Sequence, residues 1–328
     1  MCTSFTYEDA DGKWYLSRTM DFDFDLGGRP VVIPRGYHFD GGVSGVEYAG
    51  TLGFVGAGRN VGQYFTVDGV NESGFGAATL YFTESQYSDA PVSGKMNLAS
   101  YEVVSYLLGR FHTVGELRAS LDQLNIVAVP NTFMGNIVVP LHWIVADATG
   151  DCAVLEMEAD GLQMYANPVG VMTNSPDFSW HVKNLKNYAQ LHPTLAAGTK
   201  YGNVNAHGFG AGTGAVGLPG DYTSVSRFVR MAFMREHGER VHGQSAAINT
   251  ISHLLNSVDI PRGVKIMADG SADYSQYRGY SALNDRAYFM QPYADQTITK
   301  VQLTEELLNA QEPTEFPLAQ VQKIVYAN

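Results

Sequence analysis

Cysteine is nearly absent. Cys2 and Cys152 are the only two in 328 residues, too few for a disulfide framework in a chain of this length. Basic residues are also scarce. Lys and Arg number 21 against 33 Asp and Glu, a net charge of -12 at pH 7, and a surface that binds phosphates needs clustered cations. A nucleic-acid partner is therefore excluded. No run approaches the ~20 apolar residues of a helical membrane span. The first residues, MCTSFTYEDADGKW, are acidic and lack a basic stretch followed by an apolar one, so they do not read as a signal peptide. Charged residues make up only 16%, whereas hydrophobic residues reach 45% and aromatics 12%, a balance that argues against disorder. The expectation is a soluble, cytoplasmic, single-domain protein with an ample core.

The segments that are present come in blocks. Thr3 to Tyr7 and Trp14 to Arg18 are strand-like runs around the turn Asp9–Gly12, a hairpin signal. Strands are also predicted at 31–34, 52–56, 64–67 and 75–82, the last after a turn over 68–74. A helix is predicted from Tyr101 to Phe111. A second, opened by the capping box Thr113-Val-Gly-Glu116, is predicted to run to about Leu124. Strands return at 141–146, 152–157 and 162–166, helices at 177–191, 224–237 and 246–258, and strands at 288–290 and 297–303. Blocks of strands and helices, in place of regular alternation, favour an α+β fold with antiparallel sheets. Residues 202–220 form a glycine-rich loop. Within it, Gly212 to Gly217 fits the GxGxxG pattern but lacks the flanking strand and helix that a dinucleotide site requires. The histidines show no zinc spacing. Neither a cofactor nor a metal is expected.

Cys2 is the most informative residue. Removal of Met1 would leave a thiol and an α-amino group on one residue, with reference pKa values of about 8.5 and about 7.7 to 8.0. Such a residue carries its own base and needs no histidine. Arg18 ends the second strand of the hairpin that Cys2 begins, so pairing should bring its guanidinium beside the thiol and favour the thiolate. Asp21 could accept a hydrogen bond from the α-amino group. Taken alone, Arg18 and Asp21 also fit a surface ion pair. Cys152, in an apolar strand, reads as a buried structural thiol.

Five segments, in order, carry a resemblance: MCTSFTYEDADGKWYLSRTMDFDF at the start, DGVNESGFGAATLYF at 68–82, PLHWIVADATGD at 140–151, VGVMTNSPDFSWH at 169–181 and GLPGDYTSVSRFVR at 217–230. Together they resemble the choloylglycine hydrolase family, which includes bile salt hydrolases and penicillin V acylases. The resemblance implies the N-terminal-nucleophile hydrolase fold, a four-layer αββα sandwich, and a homotetramer. It implies that Cys2 is the nucleophile, tuned and oriented by Arg18 and Asp21. By the same resemblance, the Asn174 side-chain amide and the Tyr81 backbone N–H would hold the oxyanion, and Arg227 would be a second arginine near the thiol.

Tyr81 also bears on substrate. The resemblance implies that bile salt hydrolases usually carry Asn at this position and penicillin V acylases often Tyr, whose ring offers a flat surface to a phenoxyacetyl group. Met20, Phe133 and Met134 could line the acyl pocket with Tyr81, or serve as core. The expected partner is a small N-acyl amide. Penicillin V ranks first, conjugated bile salts second, and N-acyl homoserine lactones are a further possibility. From other classes, a catalytically inactive binding protein of the same fold and a nicotinamide enzyme using the 212–217 loop remain open.

Overall fold

A computed structural model describes residues 2–327. Met1, whose removal the chemistry of Cys2 requires, lies outside the described residues.

Two antiparallel sheets form the middle of the molecule. The first has six strands in the order 171–172, 2–8, 14–22, 274–282, 287–292 and 299–302. The second has eight, ordered 161–166, 152–158, 141–147, 75–81, 64–71, 54–60, 29–33 and 314–315. Most of their residues are buried on both faces; LHWIVAD and CAVLEME of the second sheet accordingly read as nearly continuous apolar runs, whereas the first sheet also buries polar residues such as Thr3, Ser4, Arg18 and Asp21. Leu141–Asp147 shows the division of labour. Ile144 faces the inter-sheet core with Val32, Val55 and Val154, whereas Trp143 and Val145 face the opposite side. On that side lie Val103, Val104, Leu107 and Leu108 of the helix Val103–Arg110, and Val114 and Leu117 of the helix Val114–Ala119. The helices Ser224–His237 and Gln244–Asn256 cover the first sheet through Phe228, Met231, Ile251 and Leu255. The layering is αββα, as the resemblance implied.

The opening hairpin is set by its turn. Asp9 accepts backbone N–H bonds from Asp11 and Lys13 through Oδ1, and Gly12 takes φ +75°, a left-handed conformation that favours glycine. The resulting register pairs Cys2 with Met20 and Ser4 with Arg18. The residue opposite Cys2 is thus Met20, not Arg18; Arg18 lies one pair further along the same face.

Several predicted boundaries move. The strand Tyr64–Asn71 runs through most of the expected turn, and only residues 72–74 form its tip. Thr113 does cap its helix, accepting from Glu116 N at 3.1 Å, but Glu116 reaches back to His112 N instead of Thr113 N. That helix ends at Ala119, and Leu124–Val127 is a strand paired in parallel with Met96–Ala99. The helix expected over 177–191 ends at Asn184 and tightens into a 3₁₀ turn over Leu185–Tyr188. The strand Tyr274–Ala282, central to the first sheet, was not singled out in the sequence, because its polar Ser275, Gln276 and Arg278 mask the apolar pattern. The glycine-rich loop begins inside a small hairpin, Thr199–Tyr201 with Val204–Ala206, and residues 212–217 form no strand–helix turn.

Candidate active site

Cys2 opens the first strand and is buried at 3% exposure. Its Sγ lies 3.7 Å from the Asp21 carbonyl oxygen and 3.9 Å from Met20 Sδ. Its backbone N–H donates to Asn174 Oδ1 at 2.9 Å. Asn174 follows the short strand Val171–Met172, which pairs with the Cys2 strand through Ser4 and Phe5. Sheet pairing therefore brings residues 172 positions apart into contact.

Arg227 and Asp21 complete this side of the site. The helix Ser224–His237 is capped by Thr223, and its first turn points Arg227 back at the hairpin. Arg227 Nη1 donates to the Cys2 carbonyl and to Thr3 Oγ1, both at 2.6 Å, and Nη2 donates to Asn174 Oδ1 at 2.7 Å. Burial pulls its guanidinium below the usual range, while Asp21 and Cys2 oppose that shift. Asp21, fully buried, accepts from Ser275 Oγ at 2.5 Å and Thr19 Oγ1 at 3.0 Å, with Arg227 Nη1 4.0 Å away. Burial raises its carboxyl, and Arg227 limits the rise.

Arg18 serves the same face from the inter-sheet side. It donates to the Thr79 carbonyl at 2.9 Å and to Met20 Sδ at 3.4 Å, and pairs with Asp68 at 3.4 Å. Met20 sulfur thus stands between the guanidinium and the thiol. Asp68 is held in turn by Tyr277 at 2.6 Å and Tyr288 at 2.5 Å. Burial works against the Arg18 charge, but the Cys2 sulfur, Tyr277 and Asp68 outweigh it and hold the group above its ordinary value. A charged group buried among apolar strands needs such a counter-ion.

Tyr81 contributes from the second sheet. It faces Leu141 across the strand pair, while the next residue, Phe82, donates its N–H to Pro140 O at 2.9 Å. Neighbouring residues on an antiparallel strand point their amides to opposite sides, and the N–H and C=O of one residue point the same way. Tyr81 N–H therefore points with its own carbonyl, and that carbonyl accepts Asn174 Nδ2 at 2.7 Å. One hydrogen of the Asn174 amide is used in this bond, and the other remains for a ligand.

The Asn174 backbone is held by groups that had no place in the sequence reading. Its N–H donates to Ser224 Oγ at 2.9 Å, and its carbonyl meets His181 Nε2 at 2.8 Å. The preceding carbonyl, of Thr173, meets His142 Nε2 at 2.8 Å. His142 Nδ1 lies 3.0 Å from Glu156 Oε1. His142 and Glu156 carried a usable signal: each is a polar residue inside an otherwise apolar strand, LHWIVAD and CAVLEME. Asp68, Tyr277, Tyr288 and Ser275 carried none.

A small apolar cleft of about 40 Å³ opens beside Cys2. Met20, Tyr81 and Met134 line it as expected, together with Phe22, Phe65 and Leu141. Phe133 does not; it lines an adjoining shallow recess that shares Leu26, Phe65 and Val67 with the cleft, where Arg59 sits 5.1 Å above its ring. Among the described residues, no helix is long and apolar enough to cross a membrane.

Comparison with known proteins agrees with this geometry. The chain is 33% identical over 315 residues to a bile salt hydrolase/transferase of Clostridium perfringens, covering 95% of each chain. It is 32% identical to a conjugated bile acid hydrolase of Lactobacillus gasseri, over 94% of this chain and 98% of the relative. A penicillin V acylase of Pectobacterium atrosepticum is more distant, at 28% over 81% of this chain and 71% of the relative. A crystal structure of a variant conjugated bile acid hydrolase from Clostridium perfringens superposes with a TM-score of 0.92 at 30% identity, covering all of both chains. The sequence pattern of linear amide C–N hydrolases of the choloylglycine hydrolase family matches residues 2–316, and the chain is a member of that family, an amide hydrolase of the N-terminal-nucleophile fold.

Proposed function

We propose that the chain hydrolyses the amide bond of conjugated bile salts, with Cys2 as nucleophile. Full-length similarity to relatives named for that activity carries this reading, and it reverses the order expected from Tyr81 alone. The apolar side chains that line the cleft beside Cys2 suit a hydrophobic acyl group.

In this mechanism, loss of Met1 frees the α-amino group of Cys2. The amine takes the thiol proton as sulfur attacks the substrate carbonyl. Negative charge develops on the carbonyl oxygen, where Tyr81 N–H and the second hydrogen of Asn174 Nδ2 donate to it. The C–N bond breaks, the α-amino group returns the proton to the departing amine, and a thioester remains on Cys2. Water then attacks the thioester with the same amine as base, releasing the acid and restoring the thiol. Asp21 and Arg227 orient the N-terminus and the Asn174 amide, and Arg18 supplies positive charge near the sulfur.

Penicillin V is the second reading. The Tyr81 ring lines the cleft and meets Phe22 edge-on at 6.3 Å, leaving an aromatic wall suited to a phenoxyacetyl group. N-acyl homoserine lactones present the same scissile bond. Amine release from glycocholate and from penicillin V, measured side by side on protein of verified N-terminal mass, separates these readings. Glycocholate turnover well above that of penicillin V is expected; the reverse ratio makes the chain a penicillin V acylase. Cleavage of neither amide by protein lacking Met1 leaves the inactive-binding alternative.

The two unpaired thiols, Cys2 and Cys152, fit a cytoplasmic location. The exposed Tyr201, Val204 and Phe209 in and after the small hairpin suit a contact between subunits, as the homotetramer implied by the resemblance would need. Sedimentation velocity gives the oligomeric state directly.

A further inference from the structure

We propose that His142, backed by Glu156 and His181, is a positioning residue that sets the distance between Asn174 and Tyr81, and with it the geometry of the oxyanion site. This rests on the amidase reading above and adds residues to it.

Asn174 sits just past a two-residue edge strand joined to its neighbour at only two register positions, Ser4 with Met172 and Phe5 with Val171. So short a ladder cannot by itself fix the residues that follow. Two imidazoles take over. Nε2 of His142 and Nε2 of His181 meet the consecutive carbonyls of Thr173 and Asn174, each at 2.8 Å. A carbonyl oxygen only accepts, so both Nε2 atoms carry the hydrogen.

The two histidines reach Asn174 from different layers. His181 rides on the helix Phe178–Asn184, and its ring stacks on Phe228 of the helix that also carries Arg227. His142 belongs to the second sheet. It pairs with Leu80 in register, one step from the Tyr81–Leu141 pair. The His142 ring is therefore a strut from the second sheet to the first, at the level where Asn174 Nδ2 meets the Tyr81 carbonyl. A shift of Thr173 would carry Asn174 away from Tyr81, and the two oxyanion donors would part.

The strut is itself braced. Phe82 stacks on the His142 ring at 4.6 Å with an interplanar angle of 5°. Glu156 Oε1 faces Nδ1 at 3.0 Å and also accepts from Phe178 N at 3.1 Å, at the start of the helix that carries His181. Glu156 thus ties both imidazoles to one anchor. With Nε2–H committed to Thr173, a single proton serves the contact between Nδ1 and Glu156. A glutamine at 156 could supply that hydrogen from its amide.

The test uses three variants of the full chain on whichever amide the wild type cleaves fastest. His142→Phe keeps the ring and its stack but deletes the donor. Its kcat should fall at least about tenfold with KM within about threefold, because oxyanion geometry matters in the transition state more than in substrate binding. His142→Gln can place an amide hydrogen near Thr173 and should recover most of that loss. Glu156→Gln should stay within about threefold of wild type. Wild-type kcat in His142→Phe overturns the proposal, as does an equal loss in KM and kcat with no rescue by glutamine. Should His142→Phe fail to fold, ¹⁵N shifts of the His142 ring in the wild-type protein decide. Nε2 should carry the hydrogen that it donates to the Thr173 carbonyl, and a bare Nε2 overturns the proposal. The ¹⁵N readout needs no turnover, so failure of the strut is told apart from failure of the functional reading.

Discussion

Asn174 both accepts and donates at the centre of the site. Its Oδ1 accepts from both Cys2 N and Arg227 Nη2, and its Nδ2 donates to Tyr81 O. An ionised aspartate would lack the donor and alanine would lack both functions, so neither substitutes. Asn174→Ala is expected to lower kcat by about 10²- to 10³-fold, the usual cost of one oxyanion donor, measured by steady-state amine release. Stability should fall as well, because Arg227 would be left buried with an unmet hydrogen bond. Cys2→Ala should abolish turnover while retaining substrate affinity by calorimetry. Turnover persisting in that variant would remove Cys2 from the chemistry.

At the scale of elements, the hairpin 2–22 and the strand Tyr274–Ala282 beside it decide where charges sit. Gly279 lies opposite Arg18. A Cβ there would come within 2.5 Å of Tyr288 Oη and 3.1 Å of Asp68 Oδ1, so a side chain would push apart the group that neutralises Arg18. Gly279→Ala is expected to cost about 1–3 kcal/mol of stability and to reduce kcat as well, read by denaturant unfolding and amine release on the same preparation. A substitution of equal stability cost far from Asp68 should leave kcat alone. The Thr113 cap provides the contrast. Thr113→Ala removes the bond to Glu116 N and should cost about 1 kcal/mol, seen as a lowered Tm with unchanged turnover. Near the tip of another hairpin, Asn71 is buried and donates to the Leu108 and Phe111 carbonyls at the end of the helix Val103–Arg110. Asn71 therefore caps the C-terminal end of that helix.

For the whole molecule, the buried polar layer between Asn174 and the helices couples stability to pH. Burial lowers His181 to about 4 from its ordinary 6.5; the bond to the Asn174 carbonyl opposes this, and His142 and Arg227 reinforce it. Between those two values the unfolded chain binds the proton that the fold refuses, so stability rises with pH across this window. The contribution is complete above about pH 6.5 and lost as pH falls through about 4, on the order of 3 kcal/mol in all. Urea unfolding at pH 7 and near pH 4.5 should show the loss, and His181→Gln, which keeps a donor but cannot titrate, should flatten it. An unaltered acid limb in that variant would assign the pH dependence to other groups. Asp21 acts in the opposite sense. Its raised carboxyl favours the protonated form in the fold, and that preference fades as pH rises through the raised value.

The amino-acid sequence by itself determined the block order of strands and helices, the capped start at Thr113, the opening hairpin and the family. These are local or patterned features: apolar runs, turn residues and motifs contiguous along the chain. Cys2, Arg18, Asp21, Tyr81, Asn174 and Arg227 were named from such motifs, and the fold does bring them into one bonded cluster. The structure alone decided how they meet. Register placed Met20, not Arg18, opposite Cys2, and a one-residue change of register would have moved every side chain to the other face. Phe133 fell into a neighbouring recess because loop paths follow packing, not pattern. Asp68, Tyr277, Tyr288, His142, Glu156 and His181 acquire meaning only when two sheets and two helix layers close on each other. A buried charge or amide must find its partners across the core, and those partners are set by three-dimensional proximity, which sequence spacing does not record.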